Sequence, residues 1–257
     1  MNFLISAVTD IGLTKSTNQD SYFVSHMKTT QGNVVLAVLC DGMGGLSKGE
    51  VASSSVVNAF KKWADERLPQ LFETGFNENT IQAEWNDIAL SFNRKIRDYA
   101  SNFNTNMGTT LVAMLITESY FYIINVGDSR AYEISNQIRV LTKDQTVVAK
   151  EIELGKLTPE QAEKDPRRSV LLQCIGASIE LVPDFFVGTV VPDAVYMLCS
   201  DGFRHEITPD EIFNYMNASV MTSEPQMQAN MQALVEANKQ RQERDNITVV
   251  GIRTYVE

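Results

Sequence analysis

An aspartate placed directly after a run of apolar residues is the feature that most constrains this chain. Residues 34–40 are uncharged and mostly aliphatic or β-branched, which is typical of a short strand buried on both faces. Asp41 follows this run, and Gly42, Gly44 and Gly45 come directly afterwards. Because a strand end is rigid and opens onto a loop, this carboxylate is held in place and still accessible to a ligand. The glycines allow a sharp turn and a close approach of the main chain to that ligand.

The same arrangement recurs at distant points in the sequence. One apolar run ends at Asp201-Gly202, another ends at Gly127-Asp128, and Asp245 stands just before a third. A further aspartate, at position 20, closes a polar loop that precedes a predicted strand. We therefore predict a single site assembled from separate segments, which contains Asp20, Asp41, Asp128, Asp201 and Asp245.

Carboxylates gathered in one site repel one another, so such a site needs either raised pKa values or a bound cation. Two of them ~5 Å apart at an effective dielectric of ~20 repel by roughly 3 kcal/mol. Ligands that are all oxygen favour hard cations such as Mg²⁺ or Mn²⁺. The chain has only two histidines, His26 and His205, which excludes a histidine-rich zinc site. Two hard ions held close together can activate a water molecule for attack on phosphorus.

Each aspartate also has a simpler interpretation. Asp41 before a glycine is compatible with an ordinary turn, Asp128 with a hairpin turn, and Asp245-Asn246 with a cap before the last strand. Asp20 can bond to its own backbone. The metal-site hypothesis therefore depends on the recurrence of all five aspartates and not on any single one.

Other catalytic motifs fit the sequence poorly. The glycines after Asp41 lack the third glycine of a dinucleotide-binding loop, and no Walker lysine accompanies them. The sequence contains no Gly-x-Ser-x-Gly nucleophile elbow. Cys174 lies in an apolar run without a basic neighbour to activate its thiol, which argues against a cysteine phosphatase.

Helices are predicted wherever apolar residues recur at helical spacing. The first has Val56 and Phe60 on its apolar face, and a longer one follows around Trp85. A last helix around Met231 precedes a closing strand over residues 247–255. Pairs of helices interleaved with strand-rich segments predict an α+β sandwich, in which helices cover sheets.

The middle of the chain is predicted to contain a set of paired strands followed by an inserted segment. Residues 109–116, 120–126 and 130–134 are predicted to form an antiparallel meander with tight turns. Residues 144–180 are polar and interrupt this rhythm, and Thr158-Pro159-Glu160-Gln161 is a capping box with proline at the first helical position. We predict that residues 144–180 form an inserted helical flap that moves.

Composition limits the cellular setting. A chain of 257 residues with 44% hydrophobic residues suits one large globular domain. Its net charge of −10 disfavours nucleic acid and anionic membranes as partners, and the sequence has no apolar run long enough for membrane insertion. Three cysteines, far apart in apolar runs, indicate buried free thiols and a cytoplasmic location.

Taken in order, the motifs resemble those of the metal-dependent serine/threonine protein phosphatases of type 2C, in their compact bacterial form. The aspartate motifs are embedded in longer matching stretches that run from one end of the chain to the other. These are Thr9-Asp10-Ile11-Gly12, Asn18-Gln19-Asp20, Cys40-Asp41-Gly42-Met43-Gly44-Gly45, Gly49-Glu50-Val51-Ala52, Gly108-Thr109-Thr110, Asn125-Val126-Gly127-Asp128-Ser129-Arg130-Ala131-Tyr132, Ser200-Asp201-Gly202 and Asp245-Asn246-Ile247-Thr248.

The resemblance implies a fold and a domain organisation. The expected fold is α+β, a four-layer αββα sandwich in which two antiparallel β-sheets are flanked by helix pairs, with a helical flap insertion. Residues 1–257 are expected to form a single type 2C phosphatase domain, with the flap at about 144–180. The expected protein is a cytoplasmic monomer that acts on phosphorylated proteins and opposes a cognate serine/threonine protein kinase.

The resemblance also implies roles for the site residues. Asp41 bridges two Mn²⁺ or Mg²⁺ ions, and Gly42 binds a metal through its carbonyl oxygen. Asp201 and Asp245 complete the shell of the second ion and count with Asp41 as catalytic residues. Asp20 acts on the first ion, directly or through water, and Asp128 with Asp201 matches a third, looser metal position. The nucleophile is metal-activated water, so no covalent phosphoenzyme is expected.

The sequence departs from the family pattern at four places. Lys15 stands where the family usually has an arginine that binds the substrate phosphate, and it is the expected catalytic and phosphate-binding cation here. Gln19 replaces a glutamate beside the metals, and Leu46 replaces a histidine after the glycines. In the flap, Asp165-Pro166 takes the place of a common His-Pro.

Two alternatives to an active phosphatase stay open at this point. Lys15 and Gln19 motivate a weakly active or inactive protein that has the phosphatase fold and binds phosphoproteins. The second alternative is a regulator of an anti-anti-sigma-type partner, which shares the fold but usually has more divergent motifs.

Overall fold

The computed structural model describes residues 1–43 and 48–256. Within these residues the chain forms eleven strands and eight helices. The strands are β1 (Asn2–Asp10), β2 (Asp20–Thr29), β3 (Gly32–Met43), β4 (Gly108–Thr109), β5 (Leu111–Ile116), β6 (Tyr120–Val126), β7 (Arg130–Ile134), β8 (Ile138–Val140), β9 (Asp184–Thr189), β10 (Val195–Cys199) and β11 (Ile247–Tyr255). The helices are α1 (Gly49–Glu66), α2 (Leu68–Thr74), α3 (Glu78–Asn102), α4 (Val147–Glu153), α5 (Pro159–Glu163), α6 (Asp201–Arg204), α7 (Pro209–Met216) and α8 (Glu224–Gln240).

The strands build two sheets in which every neighbouring pair is antiparallel. The first sheet has the order β1-β11-β10-β7-β8. The second has the order β2-β3-β5-β6-β9, with β4 paired to β3. The first strand of the chain thus pairs with the last, which brings the two ends of the sequence into one sheet.

The alternation of side chains along β3 shows how the two sheets stack. Val35, Ala37 and Leu39 point into a core between the sheets, which also contains Leu198 and Val250 from the first sheet. The intervening residues of β3 belong to a second core, shared with α1, α2 and α3. Because side chains alternate faces along a strand, a strand buried on both faces reads as a continuous apolar run, as predicted for residues 34–40.

Helices cover the outer face of each sheet. On the second sheet, Phe60 of α1 and Trp85 of α3 pack edge to face, with ring centroids 5.6 Å apart. On the first sheet, Met231 and other apolar residues of α8 pack with α7 against β10 and β11. The layers are therefore helix, sheet, sheet and helix, which confirms the predicted α+β sandwich and its flanking helix pairs.

The predicted meander over residues 109–134 is only half correct. β5 and β6 form a hairpin in the second sheet, but β7 leaves that sheet and pairs with β10 and β8 in the first. The segment with Asp128 is therefore a crossover between sheets and not a hairpin turn. The side of β6 that β7 was expected to occupy is taken by β9, which arrives from much later in the chain.

Residues 144–180 contain the two short helices α4 and α5. Thr158 forms the predicted capping box, in which its side chain accepts from the Gln161 N–H and the Gln161 side chain accepts from the Thr158 N–H. The guanidinium of Arg167 donates to Glu151 and to Asp165 and holds the segment together. The movement expected of this flap stays a prediction.

Two predictions from composition can be compared with the described residues. Each of the three cysteines is buried and free, as predicted. Within residues 1–43 and 48–256, none of the helices combines the length and apolarity that a bilayer crossing requires.

Candidate metal centre

The predicted site residues come from five segments that meet at one end of the sheets. Asp20 begins β2 and lies opposite Asp41 in the β2–β3 ladder. Asp128 lies in the crossover between the sheets, Asp201 begins α6, and Asp245 lies just before β11. All five are therefore placed by strand ends, as expected for a site that a rigid scaffold holds.

The strand that carries Asp41 does not end there. β3 continues to Met43, because Gly42 and Met43 pair with Thr109 and Gly108 of β4. The N–H of Asp41 also donates to the Thr110 hydroxyl at 2.9 Å. The interpretation of Asp41 as a turn residue is wrong, and the backbone at this position is held on both sides by strand pairing and hydrogen bonds. Gly44, Gly45 and Leu46 lie outside the described residues.

Electrostatic coupling among the aspartates shows that they share one region. Burial raises the pKa of Asp41 well above its ordinary value, and the negative charges of Asp20, Asp201, Asp245 and Asp128 each raise it further. Burial likewise raises the pKa values of Asp20 and Asp128 to about 7, with added repulsion from Asp201 in both cases. The metal-free site therefore favours protonated carboxyl groups, as repulsion between like charges requires.

Two of these carboxylates have one oxygen anchored and the other free. The Ser200 hydroxyl donates to Oδ2 of Asp20 at 2.9 Å, and Nε2 of His205 lies 3.4 Å from Oδ2 of Asp201. The Oδ1 atoms of both aspartates are buried and have no hydrogen-bond partner among the described residues. A buried oxygen without a partner is costly, so each of these atoms suits direct or water-mediated contact with a cation.

The carboxylates lie in one region, but in the described residues they do not yet surround a common position for an ion. Across residues 1–43 and 48–256, no three acidic, histidine or cysteine side chains are already close enough together to enclose an ion. The all-oxygen donor set, with two Oδ1 atoms that have no partner among the described residues, fits Mg²⁺ or Mn²⁺.

The backbone around Gly42 leaves no space for the side chain of any other residue. A Cβ at this position would lie 2.3 Å from the Gly49 carbonyl oxygen and 2.5 Å from that of Gln19. The Gly42 N–H donates to this Gln19 oxygen at 3.1 Å. The side-chain amide of Gln19, oriented with its nitrogen toward Gly42, donates to the Gly42 carbonyl at 3.2 Å and accepts from the Gly49 N–H at 3.2 Å. Gln19 therefore positions the carbonyl that the family resemblance assigns to a metal.

Lys15 lies against the carboxylates. Its Nζ is 2.7 Å from Oδ1 of Asp245, and both side chains are 37% exposed. Burial lowers the pKa of Lys15, but the hydrogen bond to Asp245 and the charges of Asp245, Asp41 and Asp201 outweigh it, so the pKa is raised. Asn246 fixes the loop that carries Lys15, because it accepts from the Gln19 N–H at 2.8 Å and donates to the Ile11 carbonyl at 2.9 Å.

Sequence reasoning missed a cationic network behind Asp128. Arg130 donates two hydrogen bonds of 2.8 Å to Asp144, the first residue of the flap. Arg204 lies 3.5 Å from the same carboxylate and donates to the Asp128 carbonyl at 3.0 Å. Hydrogen bonding and attraction from these arginines overcome burial and lower the pKa of Asp144. Arg130 lies in the motif around Asp128 that resembles the phosphatase family. The residues that flank Asp144 and Arg204 in the sequence do not indicate that these two side chains interact.

The raised pKa values predict how the metal-free protein responds to pH. In the folded state the pKa values of Asp20 and Asp128 are about 7, whereas an unfolded aspartate titrates at about 3.9. The folded state therefore binds more protons between these values, and the free energy of unfolding falls as the pH rises from about 4 to about 7. For one group the slope is about 1.4 kcal/mol per pH unit.

Denaturant unfolding of chelator-treated protein across this pH interval measures the effect. The matched control is Asp20→Asn, in which the decline should be shallower because one titrating group is gone. Equal slopes for the two proteins would contradict the assignment of a raised pKa to Asp20.

The comparisons with known proteins identify the family and the fold. The sequence model of protein phosphatase 2C matches residues 14–237. Protein phosphatase PhpP of Streptococcus pneumoniae serotype 2 (strain D39 / NCTC 7466) is 32% identical over 251 residues, which cover 95% of each chain. A solved serine/threonine phosphatase of S. agalactiae is 31% identical and has a TM-score of 0.82 over 100% of both chains.

A second solved structure contains the metal. It is the catalytic domain of serine threonine protein phosphatase PstP in complex with 2 manganese ions, which is 26% identical to this chain. Its TM-score is 0.78, and the match covers 99% of this chain and 100% of that one.

Two helix-covered antiparallel sheets with a carboxylate cluster at one end define the class of metal-dependent serine/threonine protein phosphatases. A match over most of the chain and relatives above 30% identity make the assignment specific. The chain belongs to the protein phosphatase 2C family, as its motifs predicted.

Proposed function

We propose that this protein hydrolyses phosphoserine and phosphothreonine esters in proteins and so reverses the action of serine/threonine kinases. The observation that carries the proposal is the cluster of five aspartates, in which Asp20 and Asp201 each have a buried Oδ1 without a hydrogen-bond partner in residues 1–43 and 48–256. The cluster lies on a fold shared with relatives that are named as serine/threonine phosphatases. A binding module without metal chemistry has no need for several buried carboxyl groups in one region, whose burial raises their pKa values.

In this proposal Asp41, Asp201, Asp245 and the Gly42 carbonyl hold two Mn²⁺ or Mg²⁺ ions, and Asp20 supports the first of them. Asp128 with Asp201 provides a third, weaker position. When bound, such ions activate a water molecule for in-line attack on phosphorus and neutralise charge on the phosphoryl oxygens. The protein supplies a backbone at Gly42 that cannot shift, and buried anchors at Ser200 and His205 that orient two of the carboxylates.

We further propose that residues 1–257 form one phosphatase domain in which residues 144–180 act as a flap over protein substrates. The free, buried cysteines suit a monomer in the reducing cytoplasm, opposed by a cognate serine/threonine kinase.

The test is phosphate release from p-nitrophenyl phosphate and from a phosphothreonine peptide, measured with Mn²⁺, with Mg²⁺ and with excess chelator. We expect turnover of both substrates that depends on the added cation. Binding of the phosphopeptide without turnover at any cation concentration would contradict the proposal and favour the second candidate, an inactive phosphoprotein-binding protein. That candidate is supported by the 2.7 Å ion pair of Lys15 with Asp245, because Lys15 occupies an oxygen that a metal requires.

Lys15 provides a further prediction. We propose that Lys15 leaves Asp245 when cations bind and then contacts the substrate phosphate. A charge-assisted hydrogen bond contributes about 1.5–3 kcal/mol, so Lys15→Ala should lower kcat/KM by about ten- to a hundredfold. The loss should appear mainly as a raised KM.

Lys15→Arg is the matched variant, because its guanidinium offers a planar fork to two phosphate oxygens. It should keep or improve kcat/KM when all three proteins are measured at one saturating Mn²⁺ concentration. An alanine variant with unchanged kcat/KM would show that Lys15 does not bind the phosphate.

A further inference from the structure

The residue that follows helix α6, His205, lies between two carboxylates. Nε2 of His205 is 3.4 Å from Oδ2 of Asp201, and Nδ1 is 3.2 Å from Oε2 of Glu243. The side chains of His205, Asp201 and Glu243 are only 15%, 11% and 7% exposed, respectively. His205 thus has a buried acid beside each ring nitrogen, and the hydrogen bond of Nδ1 with Glu243 orients the ring so that Nε2 lies toward Asp201.

The second carboxylate, that of Glu243, also contacts the backbone on the Asp245 side of the proposed metal site. Oε1 of Glu243 accepts from the backbone N–H of Arg244 at 2.7 Å and from that of Asp245 at 2.8 Å. Glu243 therefore holds the turn that presents Asp245, while its other oxygen meets His205. A continuous chain of contacts runs from the Asp201 side chain through His205 and Glu243 to the Asp245 backbone.

We propose that His205 is a positioning residue of the metal site, which orients Asp201 directly and Asp245 through Glu243. This inference rests on the proposed metal-binding role of the two aspartates. Its geometric basis is that the two carboxylate oxygens of Asp201 have different surroundings. Oδ2 contacts His205, which leaves the buried Oδ1, unpartnered among the described residues, as the atom available to a cation.

The charges of these groups support the arrangement. Burial disfavours the charged form of His205, but the hydrogen bond with Glu243 and the negative charge of Asp201 prevail and raise its pKa. A protonated ring hydrogen-bonds to Glu243 through Nδ1 and places its positive charge 3.4 Å from the Asp201 carboxylate. Without the ring, Asp201 loses the contact that selects its rotamer, and the buried Glu243 loses a charged partner.

The experiment is calorimetric titration of Mn²⁺ into the full-length, chelator-treated protein, for the wild type and for His205 variants. Side-chain groups that orient metal ligands typically contribute about 10- to 100-fold to metal affinity. We therefore expect His205→Leu to weaken Mn²⁺ binding by about that factor. His26→Leu is the matched control, because His26 is exposed in β2 and should leave the affinity unchanged.

Two polar variants separate positioning from simple packing. The amide nitrogen of glutamine can replace Nε2 and keep the Asp201 contact, whereas that of asparagine replaces Nδ1 and keeps only the Glu243 contact. His205→Gln should therefore bind Mn²⁺ more tightly than His205→Asn. At saturating Mn²⁺, the KM for p-nitrophenyl phosphate should match the wild-type value in each folded variant, since His205 does not touch the substrate.

A double-mutant cycle with Glu243→Gln tests the connection to Asp245. If His205 and Glu243 act as one unit, the double variant His205→Leu/Glu243→Gln should bind Mn²⁺ little more weakly than His205→Leu alone. Fully additive losses would overturn the proposed link through Glu243.

Asp201→Asn distinguishes failure of this inference from failure of the proposed metal site. If Asp201→Asn binds Mn²⁺ as tightly as the wild type, Asp201 is not a metal ligand and the proposed site itself is wrong. If Asp201→Asn weakens binding and His205→Leu does not, the metal site stands and the positioning role of His205 is overturned. Should His205→Leu fail to fold, equal Mn²⁺ affinities of His205→Gln and His205→Asn would overturn it.

Discussion

Replacing Asp41 with asparagine is expected to lower kcat/KM by at least about a thousandfold, which corresponds to roughly 4 kcal/mol of transition-state stabilisation. The negative charges of all four other aspartates of the site act on Asp41 and, together with burial, raise its pKa. Asparagine fits the same space but carries no negative charge. The variant therefore attracts the two cations less strongly, and this attraction is what offsets the repulsion between them.

Activity against p-nitrophenyl phosphate over a range of Mn²⁺ concentrations measures this effect. The control is Asp98→Asn, the same change at an exposed position of α3. Excess chelator should reduce the wild type to the level of Asp41→Asn. Wild-type activity in that variant, or full activity in chelator, would exclude a metal-dependent mechanism.

Asp144→Ala is expected to destabilise the protein by about 3 kcal/mol, because it leaves two arginines without their shared carboxylate. Arg130 and Arg204 are only 29% and 14% exposed, and the Asp144 side chain is 15% exposed. The Nε of Arg204 already has no hydrogen-bond partner in the described part of the chain. Removing the carboxylate places two positive charges close together in a poorly hydrated region.

Thermal and urea unfolding of the chelator-treated protein measure the effect. A loss of 3 kcal/mol corresponds to a fall in Tm of roughly 6–12 °C for a domain of this size. Asp98→Ala serves as the exposed control and should change Tm by little. If Asp144→Ala is as stable as that control, the network contributes nothing to stability and serves only to arrange the start of the flap.

Much of the architecture could be predicted because it is encoded over short distances. The doubly buried strand β3 appears as an apolar run, and the helices appear through their periodic apolar residues. The capping box at Thr158 satisfies backbone groups within one turn, so the residues that form it stand side by side in the sequence. The five aspartates stand out because each adjoins a strand end, which is also a local property.

The path of the chain after β6 could not be predicted in the same way. β7 is short and contains two charged residues, Arg130 and Glu133, so its pattern does not by itself select one of the two sheets. The choice depends on β9 and β10, which lie later in the chain and pair with β6 and β7 respectively. The crossover that carries Asp128 is thus a consequence of how the sheets are completed.

The sequence by itself determined the class of the fold, because burial periodicity, caps and strand-end motifs depend on residues that are neighbours in the chain. The ordered motifs determined the family, and their resemblance to that family predicted the aspartates of the site. Only the tertiary structure decided which charges meet: Lys15 with Asp245, Asp144 with two arginines, and His205 with Asp201 and Glu243. The physical reason is that an ion pair requires proximity and burial, and the stacking of two sheets sets both between residues from distant parts of the chain.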